Sequence, residues 1–280
     1  MHAMAYLLMA VLGLVLGSFL NVCIFRLPHR ASIVRPRSYC PLCKHPIRWY
    51  DNIPVLSYLL LRGHCRDCGE HISLVYPIVE LATAGLLLEA FRLHGWGVEF
   101  IRDAALVLTM IVVVFTDLTE RRIPHTLTVP GIVIGLASSW VVTVDSRPLG
   151  GLWHLFGIMP RPSVASFAGA VAGAVVGGGL FYFAGEAFYA VRHVQGLGFG
   201  DVMLMLMVGT FLGVPLTLLT VLLGSLLAIL VALPFVALDR RRYWRFHWPY
   251  GSFLATAAIY VCLRGEDLLN AYLRWSGFIT

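Results

Sequence analysis

The sequence predicts an all-α polytopic membrane protein with about eight transmembrane helices and one small, cysteine-rich insert. Three observations carry this. Of 280 residues, 59% are hydrophobic and only 13% are charged. Mean hydropathy is +0.80. The apolar residues fall in runs that match the roughly 20 residues needed to cross a bilayer.

The spans follow in order at 3–25, 73–93, 101–117, 125–144, 164–191, 202–213, 216–238 and 249–263. The first lacks a basic leader region and a small-residue cleavage site, and its run is too long for a signal core, so it is expected to stay as a helix. The fifth carries Gly169, Gly173 and Gly177 on one helical face, a pattern that lets backbones approach closely in lipid. Residues 202–238 would make a single helix of about 55 Å, too long for the bilayer. Gly213-Val214-Pro215 is the obvious break, and the run is expected to fold as a hairpin. The segment 145–163, with Pro148, Pro160 and Pro162, is expected to be irregular. The domain reading is a first helix over 1–25, an insert over 26–72, a seven-helix membrane domain over 73–264 and a tail over 265–280. No convincing internal repeat is visible.

Charge orients these spans. The net charge is +6, but it is confined to particular loops and does not indicate nucleic acid. Eight positives from Arg26 to Arg66 lie in the insert, Arg121 and Arg122 in a second loop, and Arg240, Arg241, Arg242 and Arg245 in a third. By the positive-inside rule these loops face the cytoplasm, and both termini lie outside.

Two aspartates stand at span edges. Asp117 closes an apolar run, and Asp201 follows Gly198-Phe199-Gly200 directly before another. The charge assignment, made without them, puts both at the cytoplasmic edge. A carboxylate is costly in or near hydrocarbon, so each is a functional candidate. Two carboxylates able to share one proton and one water are the minimal machinery of an aspartic protease. The bland alternatives are that Asp117 caps the helix break before Ile123-Pro124 and that Asp201 is an N-cap. Gly196, Gly198 and Gly200 would permit close backbone approach, so that an extended substrate could lie beside Asp201.

The cysteines give the second constellation. Cys40-Pro-Leu-Cys43 and Cys65-Arg-Asp-Cys68 are two C-x2-C pairs with 21 residues between them. Two such pairs close a tetrahedral site, which favours a structural zinc over disulfides in a reducing cytoplasm. The insert is small, and a metal would supply stability its core cannot. Cys23 and Cys262 read as packing residues.

These motifs together resemble a family. Gly17-Ser18-Phe19-Leu20-Asn21-Val22-Cys23-Ile24-Phe25-Arg26-Leu27-Pro28 is similar to the opening of the prepilin peptidases, the type 4 leader peptidases. The paired cysteines, Asn52-Ile53-Pro54, Leu61-Arg62-Gly63 and Tyr76-Pro77-Ile78-Val79-Glu80-Leu81 fit the same pattern. Asp117 with Ile123-Pro124 resembles the first catalytic motif. Gly198-Phe199-Gly200-Asp201 resembles the second, the GxGD signature shared with presenilin-like proteases, and Trp248-Pro249-Tyr250-Gly251-Ser252-Phe253 resembles the closing motif. The resemblance implies cleavage of the leader of type IV prepilins or pseudopilins at the cytoplasmic face of the bacterial inner membrane. It also implies N-methylation of the new N-terminus with S-adenosylmethionine. No residues are assigned to the methyl donor. The chain departs from the family at Met203, where Lys is usual, and at His125, where Asp or Asn is common. The rival readings are a transporter using the two aspartates, which would carry more polar residues deep in its spans, and a non-enzymatic assembly factor.

Overall fold

A computed structural model describes residues 2–157, 159–193, 198–239 and 248–277. The Arg240 cluster and Gly196 lie outside the described residues. Among those described, nine α-helices form and no strand does. They are α1 His2–Arg26, α2 Leu56–Leu60, α3 Val75–His94, α4 Val98–Glu120, α5 His125–Ser138, α6 Gly150–Leu155, α7 Pro162–Arg192, α8 Phe199–Leu238 and α9 Tyr250–Trp275. By length and composition α1, α7 and α8 are apolar enough to cross a membrane, and α5 is a shorter apolar helix. The chain divides into two compact units, Met1–Trp96 and Gly97–Thr280.

In the first unit α1 packs along α3. A side chain at Gly13 would stand 2.5 Å from the Ala84 Cα, and one at Gly17 would stand 2.6 Å from the Glu80 Cα. Only glycine allows that approach, in the manner of small-residue helix pairs in lipid. Asn21 Nδ2 donates to the Tyr76 carbonyl at 3.1 Å. The insert is tied down from both helices. Arg26, buried at the end of α1, donates to the carbonyls of Ser32 and Pro36 at 2.9 Å each. Glu80 Oε2 on α3 accepts from the Val55 amide at 2.7 Å.

In the second unit the long α8 is broken where expected. Gly213 has φ +70° and ψ −178°, a conformation that favours glycine, with Pro215 just after it. The break reverses the chain. A side chain at Gly177 of α7 would meet both the Met205 carbonyl at 2.5 Å and the Thr217 methyl at 2.9 Å. Those two residues would be about 18 Å apart in a continuous helix. The glycine stripe of α7 therefore fits against a hairpin, with Gly173 facing Gly209 and Gly213.

Two loop expectations are corrected. The span 125–144 is helical only to Ser138. Ser138 and Ser139 turn their hydroxyls back to the carbonyls of Gly135 and Leu136. The chain beyond is then held by Ser166, whose hydroxyl accepts from the Val144 amide at 2.7 Å and donates to the Val142 carbonyl at 3.0 Å. This segment, with Val142 and Val144 buried, reaches the notch at Gly213, where the Asp145 carbonyl lies 2.8 Å from the position of a Gly213 side chain. The segment 145–163 is also less irregular than expected. It holds a 3-10 turn at Arg147–Leu149 and the short helix α6.

Candidate active site and metal centre

Asp117 lies in the last turn of α4. The helix stops at Arg121, which is left-handed at φ +52° and donates its amide to the Asp117 carbonyl at 3.0 Å. The Asp117 side chain does not serve that break. It is 6% exposed, and its Oδ2 accepts from the Ser252 amide at 2.7 Å and the Ser252 hydroxyl at 3.0 Å. The same hydroxyl is 2.9 Å from the Val114 carbonyl. It carries one proton, so it serves one of the two acceptors at a time.

Asp201 lies in the first turn of α8. The N-cap is Gly198, without a side-chain cap bond, so Asp201 is inside the helix rather than capping it. A carboxylate there suits the helix dipole, but its position has a second consequence. A side chain at Gly251, in the first turn of α9, would stand 3.1 Å from Asp117 Oδ2 and 3.1 Å from Asp201 Oδ1. The two carboxylates, 84 positions apart in the sequence, thus flank one point that glycine leaves empty.

The surrounding residues hold this arrangement. Ile123 approaches both glycines, with its Cδ1 2.7 Å from the Gly251 side-chain position and its Cβ 3.2 Å from that of Gly200. Gly200 thus packs closely on Ile123. Gly198 has φ −75°, and only Asp201 and the Gly200 amide come near its side-chain position. Neither glycine needs a left-handed backbone. Tyr250 anchors the start of α9. Its hydroxyl lies 2.8 Å from Ser225 Oγ, and its ring stacks on Phe181 at 6.0 Å. Sequence reasoning placed Gly251 and Ser252 in a motif but gave them no role. A glycine beside a hydroxyl at a helix start carries no signal of its partners when those lie on another helix.

The four cysteines also come together. Their sulfurs all lie within 4.8 Å of one another, and Cys40 Sγ and Cys68 Sγ are 3.9 Å apart. The two pairs sit on the same local structure. Cys40 takes its amide bond to the His45 carbonyl and Cys65 to the Glu70 carbonyl, each five residues on. Lys44 (φ +59°) and Gly69 (φ +71°) follow the second cysteine of each pair in the left-handed conformation. Bridges pair Tyr39 with Pro46 and His64 with His71. This is a short internal repeat that the sequence reading missed, its only marks being the cysteines themselves. The Cys43 amide holds the Cys40 thiol down to about 7. The Glu70 amide pulls Cys68 down, but local desolvation and the three neighbouring thiols together push it up to about 12. A divalent ion would let all four become thiolates at once. The donor set fits a closed tetrahedral zinc.

Residues 11–93 match the bacterial peptidase A24 N-terminal domain, and residues 104–233 match the type IV leader peptidase family. Over 293 residues the chain is 31% identical to a prepilin leader peptidase/N-methyltransferase of Pseudomonas putida, covering 97% of this chain and 94% of that one. The chain belongs to the type IV leader peptidase family. A Pseudomonas aeruginosa relative of the same name is 31% identical, covering 99% and 97% of the two chains. One from Myxococcus xanthus is 40% identical over 202 residues, which is 72% of this chain and 54% of that one. No solved structure matches.

Proposed function

We propose that this protein cleaves the leader of type IV prepilins or pseudopilins with Asp117 and Asp201, and N-methylates the residue so exposed. The observation that carries the reading is the convergence of both carboxylates on the empty side-chain position of Gly251. Both oxygens lie 3.1 Å from that position, so they are at most about 6 Å apart, a gap that one bridging water can span.

Asp117, held by the Ser252 amide and within reach of its hydroxyl, is suited to hold the negative charge. Asp201 is then the protonated partner. Two carboxylates this close resist double ionisation and titrate as a pair. Asp117 takes a proton from the water, and the water oxygen bonds to the scissile carbonyl carbon. Asp201 gives its proton to the carbonyl oxygen as charge develops there. Collapse of the tetrahedral species breaks the C–N bond, and the proton held by Asp117 goes to the departing amine. Asp201 recovers its own proton from the hydroxyl that becomes the new carboxyl.

The protein is read as a multi-pass protein of the bacterial inner membrane. The positive-inside rule supports a topology with the insert and both aspartates at the cytoplasmic face, where a basic leader would lie, and both termini outside. Zinc on Cys40, Cys43, Cys65 and Cys68 stiffens the insert. S-adenosylmethionine, when bound, supplies an electrophilic methyl group for the new N-terminal amine. Nothing among the relatives supports the transporter reading.

The test is incubation of the purified protein with a prepilin and S-adenosylmethionine, read by intact mass. Loss of the leader and gain of one methyl group are expected. An unchanged prepilin mass would overturn the reading.

A further inference from the structure

A cavity of about 380 Å³ lies wholly within the first unit, walled by the end of α1, the insert and the start of α3. That volume falls in the range of small-molecule sites. Its charges are unevenly satisfied. The three arginines in its wall have other partners, Arg48 bonding the Tyr50 hydroxyl at 3.0 Å and standing 3.8 Å from Asp67. Arg26 serves the carbonyls of Ser32 and Pro36, and Arg66 grips Asp51 through two bonds of 2.8 and 2.6 Å. The wall's buried carboxylate is different. Glu80 is 7% exposed, and it is held only by neutral groups, the Val55 amide at 2.7 Å and the Ser18 hydroxyl. Among the described residues no Arg, Lys or His forms an ion pair with it.

A buried carboxylate without a countercharge is expensive, and the cost is relieved when a cation arrives. Two neutral donors leave part of its acceptor capacity unused. The rest of the wall suits a flat heterocycle. Tyr39, Tyr58 and Tyr76 line it, and Asn21, also in the wall, bonds the Tyr76 carbonyl. A ligand for this cavity should therefore join a cationic end to a planar aromatic one.

We propose that this cavity seats the sulfonium methyl donor S-adenosylmethionine, with Glu80 as the counter-anion to its positively charged methionyl end. The tyrosine rings surround its purine. The proposal rests on the methyltransferase reading and adds the location, which is in a different unit from the aspartates. Glu80 has no part in the cleavage machinery.

The experiment uses full-length, zinc-loaded protein in detergent. Binding of S-adenosylmethionine is measured by calorimetry for wild type and Glu80→Gln, with leader cleavage as the check on folding. Removing the charge should weaken binding by about ten- to a hundredfold while cleavage stays near wild type. A Glu80→Gln protein that cleaves and binds the donor as wild type does would overturn the placement and leave the methyltransferase reading standing. A wild-type protein that cleaves but binds no donor would sink the reading itself. Should the variant fail to fold, photo-crosslinking of 8-azido-S-adenosylmethionine to wild type decides. Label on peptides carrying Tyr39, Tyr58 or Tyr76 is expected, and label confined to residues 97–280 would overturn the proposal.

Discussion

Gly251→Ala should cripple leader cleavage while leaving the fold almost intact. The added methyl would stand 3.1 Å from Asp117 Oδ2, 3.1 Å from Asp201 Oδ1 and 2.7 Å from Ile123 Cδ1. Ile123 Cδ1 is the far end of a flexible chain and can swing away. Asp117 Oδ2 has less freedom, because the Ser252 amide holds it at 2.7 Å. The methyl therefore crowds the gap between the carboxylates, and their oxygens must shift by a few tenths of an ångström to accommodate it. A misplacement on the scale of 1 Å costs on the order of a hundredfold in rate, and the shift here is smaller, so a loss of about ten- to a hundredfold is expected. Overpacking costs about 1–3 kcal/mol, and Ala in place of Gly in a helix returns about 1 kcal/mol. The melting temperature should therefore fall only modestly. The assay is single-turnover cleavage of a prepilin followed by mass spectrometry, beside a thermal melt in the same detergent. A variant that cleaves at near wild-type rate would refute the idea that the attacking water sits between the carboxylates beside Gly251.

Three further outcomes are expected. Metal analysis of freshly prepared, unchelated protein should give about one zinc per chain, and Ser at Cys40, Cys43, Cys65 or Cys68 should abolish it and loosen the insert. Ser252→Ala keeps the amide bond to Asp117 but removes the hydroxyl, so kcat should fall about tenfold with KM little changed, as expected for a bond to a charged group. The Arg66 guanidinium beside Asp51 holds that carboxyl below the usual range. Its stabilisation is therefore present at neutral pH and fades as pH falls through the depressed value. Asp51→Asn should lower the melting temperature at pH 7, and the gap from wild type should close as pH falls below the ordinary carboxylate range.

Much of this arrangement is legible along the chain, where the signal is local. The glycine stripe at 169, 173 and 177 and the Gly213-Val214-Pro215 break follow from backbone geometry and bilayer thickness, and the hairpin has both features facing one another. The cysteine cluster was legible because two thiolates at C-x2-C spacing already define half a site. What was hidden depends on long-range partners. The end of α5 at Ser138 and the extended stretch after it depend on Ser166, more than twenty positions later. The link from Ser252 to Asp117 spans 135 positions. The unpaired character of Glu80 emerges only once the insert's arginines are seen to be engaged elsewhere.

The central claim is that Asp117 and Asp201 work as one catalytic pair, and the most direct measurement is single-turnover leader cleavage by Asp117→Asn and Asp201→Asn. Each substitution keeps the shape of the side chain and removes its ability to hold or pass a proton. Both proteins should insert, bind zinc and methylate a pre-cleaved pilin with a free N-terminal Phe, yet neither should cleave a prepilin. Near-normal cleavage by either variant would contradict the account.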